Sequence, residues 1–205
     1  MDIAWRWLGS VPYADAHARQ HAFRERVIAG ERGELWLLEH LPVITLGRRG
    51  GEVDVGAAAA AGYDVVATER GGLATCHEPG QLVGYLIVDV RRAGIRRVVG
   101  AIEDAAIAFL AASGVAAAVR PGHPGVWVGN EKICAVGLHV RHGVTIHGFA
   151  MNLTNDLTGF SLISPCGIRD AGVTSLIMLQ PAAATPDAAA PAVARTVLDA
   201  LARLE

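Results

Sequence analysis

Lys132 is the only lysine in a chain with 18 basic side chains; every other one is an arginine. A compositional bias toward arginine explains the arginines wherever a solvated positive charge suffices, but not the exception. A guanidinium stays protonated at any workable pH, whereas an ammonium gives up its proton when it is desolvated or set beside another charge. The position therefore suits a step in which a proton moves, against the plainer reading that one codon escaped the bias. Downstream, Cys166 stands between Pro165 and Gly167 in SLISPCGI, a context that interrupts regular structure and exposes the residue between. A nearby ammonium stabilises a thiolate and lowers the thiol pKa, so a loop cysteine beside an amine is a candidate nucleophile. A lone cysteine can equally be a small apolar filler.

Two stretches must position these groups. GVWVGNEKICAVGLHVRHGVTIHGFAMNL reads as two β-runs around a turn at Gly129-Asn130, followed by a hairpin turn near His142-Gly143. In ERGGLATCHEPGQLVGYLIVDV, Arg70-Gly71-Gly72 permits close backbone approach, and Pro79-Gly80 makes a second turn. Thr75, Cys76 and His77 lie between them, in a loop suited to a site or in a plain hairpin connection with a satisfied histidine. An apolar strand over 82–90 follows.

Around these, periodicity predicts a helix over 13–29 with Ala14, Ala18, Phe23 and Val27 as its apolar face. A second helix over 95–113 presents Val98, Ile102, Ala105 or Ala106, and Phe109, with Gly114 as its stop. Strands are expected at 33–41, 43–47, 63–68 and 174–179, and one or two helical turns at 56–62. An Ala/Pro linker over 181–191 leads to a closing helix over 192–204. The whole reads as one domain over residues 1–205, a mixed sheet with helices.

Composition excludes several function classes. A length of 205 residues suits a single core, and a formal net charge of −2 offers no basic footprint for nucleic acid or an anionic membrane. No apolar run approaches the roughly 18 residues of a membrane span, and the N-terminus lacks a signal pattern, so a cytoplasmic protein is expected. Cysteines at 76, 134 and 166 are odd in number and without CxxC spacing, which argues against a disulfide framework or a zinc–cysteine site. His17, His21 and Glu25 share one helix stripe, read as a solvated face because nothing distant obviously completes a metal site. His139 and His142 point to opposite faces of a strand, so with His147 they do not gather round an ion. No metal is expected. GxxxxGK[ST] and GxGxxG loops are absent, and without a heptad or a long apolar stripe a monomer is expected.

A cysteine nucleophile, a lysine that exchanges a proton and a glycine-rich loop carrying His77 fit acyl transfer through a thioester better than peptide hydrolysis, where a histidine base usually serves the cysteine. Four stretches, LLEHLPVITLGRRG, RGGLATCHEPGQLVGY, the long β-rich stretch from Gly125 and FSLISPCGI, resemble in order the sequence blocks of the bacterial lipoyl/octanoyl transferases. The resemblance covers about residues 37–175. It implies the α+β catalytic fold shared with lipoate and biotin protein ligases, a mixed sheet with flanking helices. It also implies transfer of an octanoyl group from acyl carrier protein to a lysine of lipoyl domains, with Lys132 lowering the thiol pKa of Cys166, which carries the acyl thioester. The implied acyl pocket comprises Arg70, Gly71, Gly72, Leu73, Ala74, Thr75, Cys76 and His77, then Ala135, Val136 and Gly137, then Gly148, Phe149 and Ala150. The implied partners are octanoyl-acyl carrier protein and the lipoyl domains of 2-oxoacid dehydrogenase E2 subunits and glycine cleavage H protein. No cofactor is implied beyond the phosphopantetheine arm that carries the donor. Cys76 and Glu78 depart from the family's usual aromatic residue and glycine, and Cys134 from its usual alanine. A glutamate at 78 is expected to block a positive-φ backbone or to raise the pKa of His77. An ATP-dependent lipoate ligase, a non-catalytic acyl or lipoyl-domain binder and a thiol hydrolase are the competing readings.

Overall fold

A computed structural model describes residues 3–163 and 171–204. In chain order the elements are β1 (Ala4–Val11), α1 (Tyr13–Ile28), β2 (Glu34–His40), β3 (Val43–Leu46), α2 (Val55–Ala60), β4 (Asp64–Ala67), β5 (Ala74–His77) and β6 (Gln81–Ile87). There follow α3 (Ile95–Ala112), β7 (Ala118–Arg120), β8 (His123–Val128), β9 (Glu131–Arg141), β10 (Val144–Asn152), a 3-10 turn (Thr158–Leu162), β11 (Gly172–Val173), α4 (Leu176–Leu179) and α5 (Pro186–Ala202). The larger sheet has the order β1-β2-β6-β10-β9-β8-β7, with β11 also paired to β9; the smaller is β4-β3-β5. β1 and β2 are parallel, and α1 is the crossover such a pair requires.

The central strands are apolar on both faces because helices cover both. Leu35 and Leu37 of β2, with Leu82 and Leu86 of β6, face α3 and α5. The alternate residues Trp36, Leu38, Val83, Tyr85 and Ile87 face α1, as the two-residue side-chain period dictates. Gly84 follows from this packing: a Cβ there would lie 2.2 Å from the ring of Phe149 on the paired strand. The β8–β9–β10 meander turns where Gly129-Asn130 and His142-Gly143 predict it. Among the described residues no helix is long and apolar enough to cross a membrane.

Four local expectations change. α1 buries Tyr13, Ala16, Gln20, Phe23, Arg24 and Val27, while Ala14 and Ala18 are exposed. Its inner stripe keeps the expected Phe23 and Val27 but adds polar Gln20, whose Oε1 accepts the His147 N–H at 2.7 Å, so counting apolar residues places only half of the face correctly. The span 174–179 is not a strand. After the Thr174 N–H donates to the Lys132 carbonyl at 3.1 Å, the chain leaves the sheet, and the Ile177 N–H donates to the Leu153 carbonyl at 2.8 Å as α4 forms. The second half of the 181–191 linker is helix. Pro186 occupies the first turn, where a missing N–H costs nothing, and Pro191 forfeits one intrahelical bond while Ala189, Ala190 and Ala194 pack into the core. Residues Ala74–His77 form a strand of the smaller sheet and not a loop.

Candidate active site

A cavity of about 390 Å³ lies where the β9–β10 hairpin meets the segment running from Arg70 into β5, a size within the range of roughly 300–1,000 Å³ common for small-molecule sites. Its walls bring together Arg70, Gly71, Gly72, Leu73, Ala74, Thr75 and His77, then Lys132, Ala135, Val136 and Gly137, then Gly148, Phe149 and Ala150. Two walls touch through backbone alone. The Gly71 N–H donates to the Leu138 carbonyl at 3.2 Å, and a Cβ on Gly137 would lie 2.9 Å from the Gly71 carbonyl oxygen. Arg70 braces this corner: Nε donates to Thr45 Oγ1 at 3.0 Å, Nη2 to the Thr45 carbonyl, and Nη1 to the Gly71 carbonyl at 3.1 Å. Burial draws its pKa down to about 10.

Cys76 faces away from this cavity. Strand alternation turns Thr75 and His77 inward and packs Cys76 with Ile44, Ala58 and Ile163 on the opposite side. A substrate contact by Cys76 is therefore replaced by a packing contact, and a Cβ at Gly159 would fall 2.2 Å from its sulfur.

Lys132 lies on β9 with Nζ donating to the Pro124 carbonyl at 3.1 Å and standing 4.8 Å from the Trp127 ring centroid. Its backbone is paired in parallel with Val173. Cys166 lies outside the described residues. The nearest described cavity-lining residues on either side of it in sequence are Phe160 and Val173.

A polar chain underlies the site. His77 Nδ1 donates to Gln81 Oε1 at 2.7 Å; Gln81 Nε2 donates to the Cys76 carbonyl at 3.1 Å and to Asn152 Oδ1 at 2.9 Å; Asn152 Nδ2 donates to the Thr174 carbonyl at 3.0 Å. Burial, with the charge of His40 second, holds the His77 pKa well below its ordinary value. This corrects the expectation that Glu78 raises it. Nor does Glu78 occupy a positive-φ position: that conformation falls on Gly80, at φ +89. The Glu78 carboxylate turns to Tyr63, Asn155, Leu157 and Gly159 instead.

Cys76 and Cys134 are buried, and desolvation pushes both thiols up, Cys134 to about 12. Neither supplies a thiolate at neutral pH. A maleimide titration of the native protein is expected to find one reactive thiol per chain, rising to three in guanidinium; two fast thiols in the native state would show that one of these sites opens.

Several cavity residues carried no sequence signal. Tyr13 reaches the cavity from α1, Tyr85 and Gln81 from β6, and Asn152 and His147 from β10. Asn152 is separated from Gln81 by 71 residues, and their pairing follows from the β6–β10 register alone. His17 and His21 are also not an isolated solvated stripe, because Glu69 and His147 converge on them.

The model of the lipoyl protein ligase A/B catalytic domain matches residues 12–198. Octanoyltransferases of Nitratidesulfovibrio vulgaris (strain Miyazaki F) and Thiobacillus denitrificans are each 47% identical to this chain over 82% of its length, covering 80% and 78% of their own. A lipoate-protein ligase A solved with ATP bound shares its fold at a TM-score of 0.79 and 18% identity, over 98% of this chain and 86% of that one. The biotin protein ligase of Aquifex aeolicus in complex with biotin and ATP does so at 0.62 and 10%, over 98% and 71%. With a family match over nearly its whole length and near-half identity to named relatives, on the mixed α+β sheet those structures share, the chain belongs to the lipoyl protein ligase A/B catalytic-domain family, among its octanoyltransferases.

Proposed function

We propose that this chain transfers an octanoyl group from the phosphopantetheine thiol of acyl carrier protein to a lysine of a lipoyl domain, through a thioester on Cys166. The observation that carries the reading is the shared cavity: Lys132, the three glycine-bearing segments, and residues on both sides of Cys166 in sequence all line it. Leu73, Val83, Val136 and Phe149 give it an apolar wall for an alkyl chain, each buried methylene contributing about 0.8 kcal/mol.

In the first half-reaction the Cys166 thiolate, paired with the Lys132 ammonium, attacks the donor thioester carbonyl. The carbon–sulfur bond to pantetheine breaks, and the leaving thiolate takes the lysine's proton. Lys132 is then a neutral amine. In the second, the acceptor lysine's amine attacks the acyl-cysteine, Lys132 takes the proton that amine must lose, and the ammonium–thiolate pair is restored. Backbone N–H groups of the glycine-bearing loops are the donors available to an oxyanion, each worth roughly 3 kcal/mol in comparable sites. No cofactor beyond the carrier's arm enters this cycle, and the chain acts as a cytoplasmic monomer.

Intact mass spectrometry after mixing with octanoyl-acyl carrier protein, without ATP, tests it. A hydroxylamine-labile octanoyl adduct is expected on the wild type and not on Cys166→Ser, discharged by apo lipoyl domain. Absence of an adduct, with acylation of the lipoyl domain appearing only when ATP and free octanoate are supplied, would favour a ligase, in line with the ATP-bound structural relative.

A further inference from the structure

Beside the cavity, three imidazoles converge on one carboxylate. His17 Nε2 lies 3.0 Å and 3.2 Å from the two oxygens of Glu69, His21 Nε2 lies 2.7 Å from Oε1, and His147 Nε2 lies 3.7 Å from Oε1. The donor atoms of His17, Glu69 and His147 all fall within 4.8 Å of one another. Nitrogen and oxygen ligands of a tetrahedral zinc ion sit about 2.0–2.2 Å from the metal and hence about 3.3 Å from each other. The spacings of His17 and of His147 from Glu69 bracket that value, and the His147 contact is too long for a hydrogen bond.

The histidines do not have equal roles. Arg24 Nη2 lies 3.0 Å from His21 Nδ1, and a guanidinium can only donate, so the His21 proton sits on Nε2 and points at Glu69. His21 is thereby unsuited to ligate and suited to orient the carboxylate, as hydrogen-bonded outer groups do around metal ligands. His17 Nε2 lies 3.1 Å from His21 Nε2 and within hydrogen-bond reach of both Glu69 oxygens, so a cation there takes the place of a proton that bridges His17 to the carboxylate; His147 Nε2 stands beyond hydrogen-bond distance of Glu69. Thr68 Oγ1 lies 3.4 Å from His147 Nε2. His147 holds a left-handed backbone at φ +61, an uncommon conformation for a residue with a side chain, and its N–H is fixed by Gln20.

We infer that His17, Glu69 and His147 form a binding site for a late first-row divalent cation of the zinc class, with His21 orienting the carboxylate and an open position left for a fourth ligand. Its ligands come from α1, from the residue before Arg70 and from the residue before Gly148. A bound cation therefore ties the crossover helix to two cavity walls.

The test is titration of the full-length protein with Zn²⁺ by calorimetry and with Co²⁺ by visible absorption. One saturable equivalent is expected, with the d–d bands of four-coordinate cobalt and no thiolate charge-transfer band. His17→Ala, a change on a partly exposed helix position, should weaken binding at least about tenfold, Glu69→Gln likewise, and His142→Ala in the β9–β10 turn should leave it unchanged. The proposal is overturned if no saturable equivalent binds, if His17→Ala binds as tightly as wild type, or if cobalt reports thiolate coordination. Circular dichroism of each variant separates loss of ligand from loss of fold.

Discussion

Lys132→Arg is expected to lower octanoyl transfer to the lipoyl domain by about a thousandfold or more while leaving the acyl-enzyme able to form. An arginine on β9 can keep two interactions that the lysine makes among the described residues, donation to the Pro124 carbonyl and stacking over Trp127, so the variant retains charge and place. It cannot become a neutral base, because a guanidinium does not lose its proton in a protein. General acid–base steps contribute about 10²–10⁴-fold, and here the loss is greatest in the half-reaction that removes a proton from an amine, because in the first half-reaction the leaving pantetheine thiolate can take its proton from water in place of Lys132. Mass spectrometry should show octanoyl adduct accumulating on Lys132→Arg and persisting after apo lipoyl domain is added. Turnover equal to wild type would remove the proton-transfer role. Failure of the adduct to form at all would show instead that ammonium geometry at Cys166 is indispensable to the first step.

The sheet and its turns were legible because local chemistry dictates them. Gly129-Asn130 and His142-Gly143 end strands wherever they occur, and Val98, Ile102 and Phe109 face the core of α3 as their spacing predicts. The resemblance points to three glycine-bearing segments far apart in sequence, and the fold brings them to one cavity. What failed depended on long-range partners. The inner face of α1 includes Gln20 and Arg24, polar residues whose burial is decided by β10 and not by their own periodicity. Cys76 was assigned to the pocket as a member of a contiguous block, and the two-residue alternation of β5 turned it outward. Glu69 and His17 are 52 residues apart and meet because α1 crosses the edge of the site; no spacing rule connects them.

The same long-range logic makes Glu78→Ala the substitution expected to cost most stability, about 4 kcal/mol, with the melting temperature falling by roughly 8–16 °C. Glu78 is buried at 4% exposure. Its Oε2 accepts from Tyr63 Oη at 2.6 Å and the Gly159 N–H at 3.2 Å, and its Oε1 from Asn155 Nδ2 at 2.9 Å and the Leu157 N–H at 3.1 Å. With the Cys76 thiol 3.7 Å from Oε2 as a weaker fifth, four N–H and O–H donors converge on one carboxylate, three of them from residues 155–159, the stretch that leads toward Cys166. Alanine would leave all four without that acceptor, and buried donors without partners cost about 1–3 kcal/mol each before water re-enters. The neighbouring departure from the family pattern fits the same arrangement. Gly159 passes so close to Cys76 and Tyr63 that a Cβ on it would sit 2.2 Å and 2.7 Å from their atoms, so an aromatic side chain at 76 would displace the very segment that Glu78 holds. A small residue at 76 and a long acid at 78 thus work as a pair. Glu78→Gln keeps one acceptor oxygen and should fall between wild type and alanine in melting temperature. Because the effect passes through the 155–159 segment, Glu78→Ala should also slow adduct formation with octanoyl-acyl carrier protein, and the glutamine variant should recover part of that rate. A melting temperature within about two degrees of wild type for Glu78→Ala would mean the carboxylate is replaceable by water and does not anchor the approach to the nucleophile.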